Sequence, residues 1–308
     1  MEFNKYYELL YKKFLSDVTR KKTEKIILII SIASFLIHLL IIFLVDFGYI
    51  VLAESSDLLT NPIAAIYTPF SFILVYEVYL LIYYLPKSFT IYISKQYEII
   101  SLIIIRRIFK DLSNLTLSSE WFTIKYDLQF TYDIIASLLL FFLIYQFYIQ
   151  SKKRYNYDND ELKKEGIARF IKFKQILATL LVPVVFFVTI YSFTNWSYSS
   201  IGVNTDSNIS FTNINNIFFE QFFSILIITD VILLLFSFFH TDEFHKVFRN
   251  SGFIISTILL RISFSVTGLL NTVLIISAIT FGLIILIIYN KFEKNIALEK
   301  GKKMIQNE

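Results

Sequence analysis

The sequence predicts an all-α integral membrane protein of eight transmembrane helices, built as two tandem parallel four-helix repeats with both termini cytoplasmic. Three observations predict it. The 308 residues are 56% hydrophobic and 18% charged, against about 25% charged in ordinary soluble domains, and the mean hydropathy is +0.60. Apolar segments of span length recur along the chain. Lys and Arg collect in alternate connecting segments. The composition also excludes chemistry. Cysteine is absent, which removes thiol catalysis, disulfides and cysteine-based metal sites. His38, His240 and His245 are the three histidines. No Gly-rich phosphate loop, G-x-S-x-G or H-E-x-x-H motif occurs. No enzymatic activity, cofactor or nucleic-acid partner is therefore expected.

The N-terminal segment 1–25 precedes any span. Phe3, Tyr6, Tyr7, Leu10 and Phe14 recur at helical spacing with Lys5, Lys12 and Lys13 between them. This is the pattern of an amphipathic helix on a membrane surface or against a partner subunit. It holds no short apolar core with a cleavage site, so no cleaved signal peptide is expected. A helix needs about 20 apolar residues to cross the hydrocarbon core. Segments 26–45, 62–85, 134–150, 176–193, 218–239 and 270–289 qualify. Segments 98–112 and 252–266 are shorter and carry charge.

Those two decide the topology. If all eight cross from a cytoplasmic N-terminus, segments 1–25, 86–97, 151–170, 240–250 and 291–308 lie inside and hold most of the 29 Lys and Arg. Outer segments 46–61, 195–217 and 267–269 hold none, and 113–130 holds only Lys125. If the two short segments lay on the surface, the basic stretch 152–169 would face out, against the positive-inside rule. Eight spans are thus predicted, in a cell (inner) membrane. The division is a cytosolic amphipathic helix (1–25), a first four-helix unit (26–150), a cytosolic basic linker (151–170), a second unit (171–290) and a basic tail (291–308). The basic inner segments suit anionic lipid headgroups.

The two units resemble each other. Residues 70–78 read FSFILVYEV and 223–231 read FSILIITDV; 99–109 read IISLIIIRRIF and 254–264 read IISTILLRISF. Glu77 falls on Asp230, Ser101 on Ser256 and Arg106 on Arg261. An even number of spans per unit gives both units one orientation, a parallel repeat.

Ionisable groups inside a span cost at least ~2.5–3.5 kcal/mol each, and persist when paired or when they line a wet cavity. Helix rise places Glu77 and Arg106 about 12 Å from the inner ends of their spans, and Asp230 and Arg261 about 14 Å. Glu77 should meet Arg106 or Arg107, and Asp230 should meet Arg261. Unit one sets Arg106, Arg107 and Lys110 against one acid, so an unpaired positive charge is expected there, near which an anion or Glu98 would sit. His38 is a candidate for a proton relay. Pro183 predicts a kink in the fifth span. The stretch from His240 to His245 reads as a solvated polar turn.

VYEVYLLIYYLPKSF around Glu77 and the following YEIISLIII resemble the second helix, linker and third-helix start of the voltage-sensor four-helix domain of voltage-gated cation channels. The resemblance covers residues 70–105, with an echo at 223–260. It implies a bundle type. Segments 134–150 and 270–289 carry no arginine, Ser101 and Ser256 stand where that family has an acid, and no TVGYG filter occurs. Voltage sensing by moving arginines is not implied. Two function classes follow. The first is ion conduction or transport through the buried charges Glu77, Arg106, Arg107, Lys110, Asp230 and Arg261. The second is a non-conducting scaffold or signalling subunit whose Phe and Tyr surfaces hold a second copy or a partner membrane protein.

Overall fold

A computed structural model describes residues 2–49, 62–113, 125–153, 161–201, 211–239, 243–266 and 268–306. Among them the regular structure is entirely helical. The helices are α1 (Glu2–Leu15), α2 (Asp17–Asp46), α3 (Tyr67–Tyr84), α4 (Phe89–Ser113), α5 (Lys125–Ser151), α6 (Glu161–Ile201), α7 (Phe211–Phe238), α8 (Phe244–Ser263) and α9 (Leu269–Gln306), with a 3-10 turn at Pro62–Ile66 before α3.

Five helical stretches are long and apolar enough to cross a membrane: Glu8–Asp46, which takes in the end of α1 and all of α2, Asp127–Ser151, Ala168–Val188, Gln221–Phe238 and Leu269–Glu299. Thr68–Tyr84 in α3 is apolar but shorter. The short segment 98–112 lies inside the longer helix α4, and α8 holds residues 252–263 of the second, whose last three residues follow the helix end; both helices reach past the short segments at their N-terminal ends. Both carry polar faces toward the bundle, which is why their hydropathy is low.

The N-terminal segment differs from one continuous amphipathic helix. Ser16 is extended, at φ −83° and ψ 157°, and its Oγ accepts the Thr19 amide at 3.1 Å. A serine cap of this kind contributes about 1 kcal/mol and starts a new helix. Residues 17–25 therefore belong to α2. Helix α1 packs on α6 and α2, Leu15 is buried, and the Phe14 carbonyl accepts the Tyr79 hydroxyl at 2.9 Å. The linker and tail differ likewise. Helix α6 begins at Glu161, within the basic linker, and runs on through Pro183. Helix α9 runs without a break to Gln306, so the basic tail continues the last span.

Each helix packs on the next: α2 on α3, α3 on α4, α4 on α5, and α6 on α7, α7 on α8, α8 on α9. Between these two sets, α5 packs on α9, α4 on α8, and α6 on α3. The densest core lies where α4, α5, α8 and α9 meet. Tyr97, Phe147 and Phe253 are fully enclosed there, with ring centroids 5.0 Å and 5.7 Å apart. Gly282 on α9 permits this approach. A Cβ at that position would stand 1.9 Å from the Tyr97 hydroxyl.

Polarity runs inside out. Glu77, Asp133, Asp230 and Arg261 are buried, while Leu138, Phe141 (76% exposed), Phe186 and Phe187 face outward. Buried charge together with broad exposed apolar surface is the informative combination. It fits a chain whose solvent is lipid.

Candidate functional site

Helices α4 and α8 bring polar side chains to the bundle centre. Tyr92 and Gln96 are four residues apart and so share one face. Thr257 and Arg261 on α8 have the same spacing. Both faces converge on Asp230 of α7, which has no exposed surface. Asp230 Oδ1 accepts the Tyr92 hydroxyl at 2.8 Å. Oδ2 accepts Arg261 Nη2 at 2.7 Å. Gln96 Nε2 stands 3.5 Å from the same oxygen, at the edge of hydrogen-bond reach. The Thr257 hydroxyl lies 3.4 Å from Oδ2 and 2.9 Å from the Ile254 carbonyl, sharing one proton between them. Arg261 Nη2 also donates to Gln96 Oε1 at 2.8 Å. Its Nη1 is buried and has no protein partner.

Two further pairs leave the other end of α4. Arg106 is ion-paired with Glu77 on α3 through Nη2, and its Nη1 donates to the Phe70 carbonyl at 3.3 Å. Arg107 forks onto Asp133 of α5: Nε reaches Oδ2, and Nη2 reaches Oδ1 at 2.6 Å. A planar guanidinium suits this two-point grip. Nη2 also donates to Asn271 Oδ1 on α9 at 2.8 Å, and Asn271 Nδ2 donates to the Ser263 carbonyl of α8 at 2.5 Å. Gln129 Nε2 supports Asp133 Oδ1 at 2.9 Å.

The sequence-predicted residues thus separate into three clusters. Glu77 meets Arg106, and Asp230 meets Arg261. The expected surplus charge in unit one is corrected for Arg107, which has Asp133. That acid falls between the outer segment 113–130 and the apolar segment 134–150 and so was not weighed as a partner, while α5 begins earlier, at Lys125. Glu98 pairs with Lys95 at 2.5 Å and does not reach the arginines. The Lys110 side chain lies outside what is described. His38 Nδ1 lies 2.5 Å from Thr68 Oγ1, tying α2 to α3. Residues 240–242, including His240, also lie outside the described residues, whereas His245 is packed against α9. Tyr92, Gln96, Thr257 and Asn271 were missed. The available signal was i,i+4 spacing of polar side chains on otherwise apolar helices.

Compared with known proteins, the chain matches no family model, no curated protein and no solved structure.

Proposed function

We propose that this multi-pass membrane protein conducts or transports ions or protons, with the Asp230 cluster as the point of passage. One observation carries the reading. An aspartate, an arginine, a tyrosine and a glutamine from three helices are fully buried in one contact network, and Arg261 Nη1 is left without a protein partner. Buried donors are nearly always satisfied, by ordered water where protein fails. An intramembrane ionisable cluster with an open donor is a functional site by default. Asp230 is the group that accepts and releases the proton or meets the ion, with the Tyr92 hydroxyl donating to it and Arg261 a fixed positive charge beside it.

In this reading all eight segments cross, the two units are parallel repeats and both termini are cytoplasmic. The matching packing order within each unit supports the repeat. So does the link from third to second helix in each unit, Arg106 to Glu77 and Arg261 to Asp230. The resemblance to voltage-sensor domains extends to such helix-to-helix pairs and no further. The basic inner segments hold anionic lipid headgroups of the inner membrane.

A second reading has its own support. All three arginines named here are matched by acids, as in a locked bundle, and the outward aromatic surface suits a second copy or a partner membrane protein. Flux separates the two. Purified protein in liposomes should pass protons, cations or anions, and Asp230→Asn should abolish flux while leaving a monodisperse protein. Absence of flux for every ion, with a stoichiometric partner on purification, would establish the scaffold.

A further inference from the structure

A different cluster lies where α8 begins and α9 passes beside it. Glu243 is the N-cap residue of α8, His245 is in its first turn, and Glu293 projects from α9. His245 Nε2 stands 2.9 Å from Glu293 Oε1 and 3.4 Å from Glu243 Oε2. One ligand atom from each of the three lies within 4.8 Å of the others. The imidazole is held in place by near-parallel rings, Tyr289 at 5.8 Å and Phe292 at 6.3 Å. Phe244, Phe248 and Ile288 complete an apolar cleft of about 230 Å³ against the same ring.

This geometry has an imbalance. A single imidazole nitrogen faces two carboxylates, and one N–H serves only one of them well. A divalent cation at that point would serve both at once, in competition with Lys246 beside Glu243 and with the Tyr289 hydroxyl and Arg249 beside Glu293. The spacing fits. Zinc ligands stand about 2.0–2.2 Å from the metal, which puts tetrahedral neighbours roughly 3.4 Å apart. The two separations from His245, 2.9 Å and 3.4 Å, need only slight spreading, and the two carboxylates lie within 4.8 Å of each other. The apolar wall lowers the local dielectric and strengthens the attraction of carboxylates for a cation. Lys246 Nζ now balances Glu243 at 2.8 Å; an incoming metal would displace it.

We infer that Glu243, His245 and Glu293 form a binding site for a divalent transition metal of the zinc class. Occupancy would clamp the start of α8 to α9. Because α8 carries Arg261, the metal would brace the helix that holds the Asp230 cluster, although the site itself stands independently of any transport role.

The test uses the tag-free full chain in detergent, stripped with chelator. Zinc is titrated by calorimetry, and thermal unfolding is followed with and without it. The expected result is one equivalent bound and a raised unfolding temperature. His245→Ala and Glu293→Gln should each weaken binding by more than the roughly 10-fold that loss of a supporting contact costs. His240→Ala should bind as the parent does, since the proposed ligand set does not include it. Lys246→Gln removes the competing ammonium without touching a ligand and should tighten binding, so the proposal stays testable if a ligand variant misfolds. Failure of the parent to bind zinc, equal binding by His245→Ala, or loss in His240→Ala with retention in Glu293→Gln would overturn it.

Discussion

At Asp230 the competing terms can be weighed. The carboxylate is completely enclosed, so leaving it or its arginine alone exposes the full desolvation penalty. Removing one partner of such a pair typically costs about 3–5 kcal/mol, whereas replacing both by apolar residues is often near neutral. Asp230→Leu should therefore lower the unfolding temperature in detergent sharply, and Asp230→Leu with Arg261→Leu should recover most of it. Recovery here will fall short of complete, because Tyr92 and Gln96 also lose their acceptor. A single mutant as stable as the parent would show that Asp230 is solvated or protonated. Gly282 offers a steric test of comparable sharpness. Gly282→Ala places a methyl group 1.9 Å from the Tyr97 hydroxyl, and overpacking typically costs about 1–3 kcal/mol. Tyr97→Phe removes that oxygen. It should weaken the parent, where the hydroxyl contacts Ser256 at 2.6 Å, yet relieve the alanine variant. Additive losses on thermal unfolding would refute the clash.

At the scale of elements, α4 behaves as a spine. Its N-terminal half reaches α7 and α8 through Tyr92 and Gln96, and its C-terminal half reaches α3, α5 and α9 through Arg106 and Arg107. Helix α8 joins it at Tyr97 and Ser256, and Ser256 in turn donates to the Ala278 carbonyl of α9 at 2.6 Å. Polar seams of this kind suit lipid, where apolar side chains give neighbouring helices little reason to prefer each other. Helix α9 meets the C-terminal end of α5 midway along its own length, where Asn290 Nδ2 donates to the Gln150 carbonyl at 2.9 Å. The absence of native cysteine makes this contact easy to probe. Gln150→Cys with Asn290→Cys should cross-link within one chain under mild oxidation, detected by altered gel mobility. Failure to cross-link, with both thiols accessible to maleimide, would separate α5 from α9. The tight turn from α8 to α9 depends on Gly268, whose φ of 75° lies in the left-handed region that other residues enter only with strain.

For the whole molecule, the decisive question is which connecting segments share a side of the membrane. The Lys/Arg-free stretch 195–217 and the basic stretch 152–165 should lie on opposite sides if α4 and α8 both cross. A membrane-impermeant thiol reagent applied to intact cells should label a single cysteine placed in 195–217 and leave one in 152–165 unlabelled until the cells are opened. The reverse pattern would put α4 and α8 on the surface. The outward faces of α5 and α6, lined by Phe141, Tyr145, Phe186 and Phe187, would contact lipid in either arrangement.

Two kinds of information divided the outcome. Membrane character and the helical class were legible in the sequence, because transfer of about 20 apolar residues into hydrocarbon is a local property of each segment. The depth of a charge along a helix was also legible, since rise per residue is constant; that sufficed to match Asp230 with Arg261 and to bring Glu77 level with Arg106 or Arg107. What the sequence left open was rotation about each helix axis and which helices become neighbours. Arg106 and Arg107 are adjacent in the chain, yet point about 100° apart and so serve α3 and α5 respectively. Tertiary packing alone decided that Arg107 meets Asp133, that Gln96 of α4 bridges to Arg261 of α8, and that Glu293 closes on His245. Those pairings depend on distances between residues far apart in sequence, and every one is set by how neighbouring helices pack rather than by the residues flanking it.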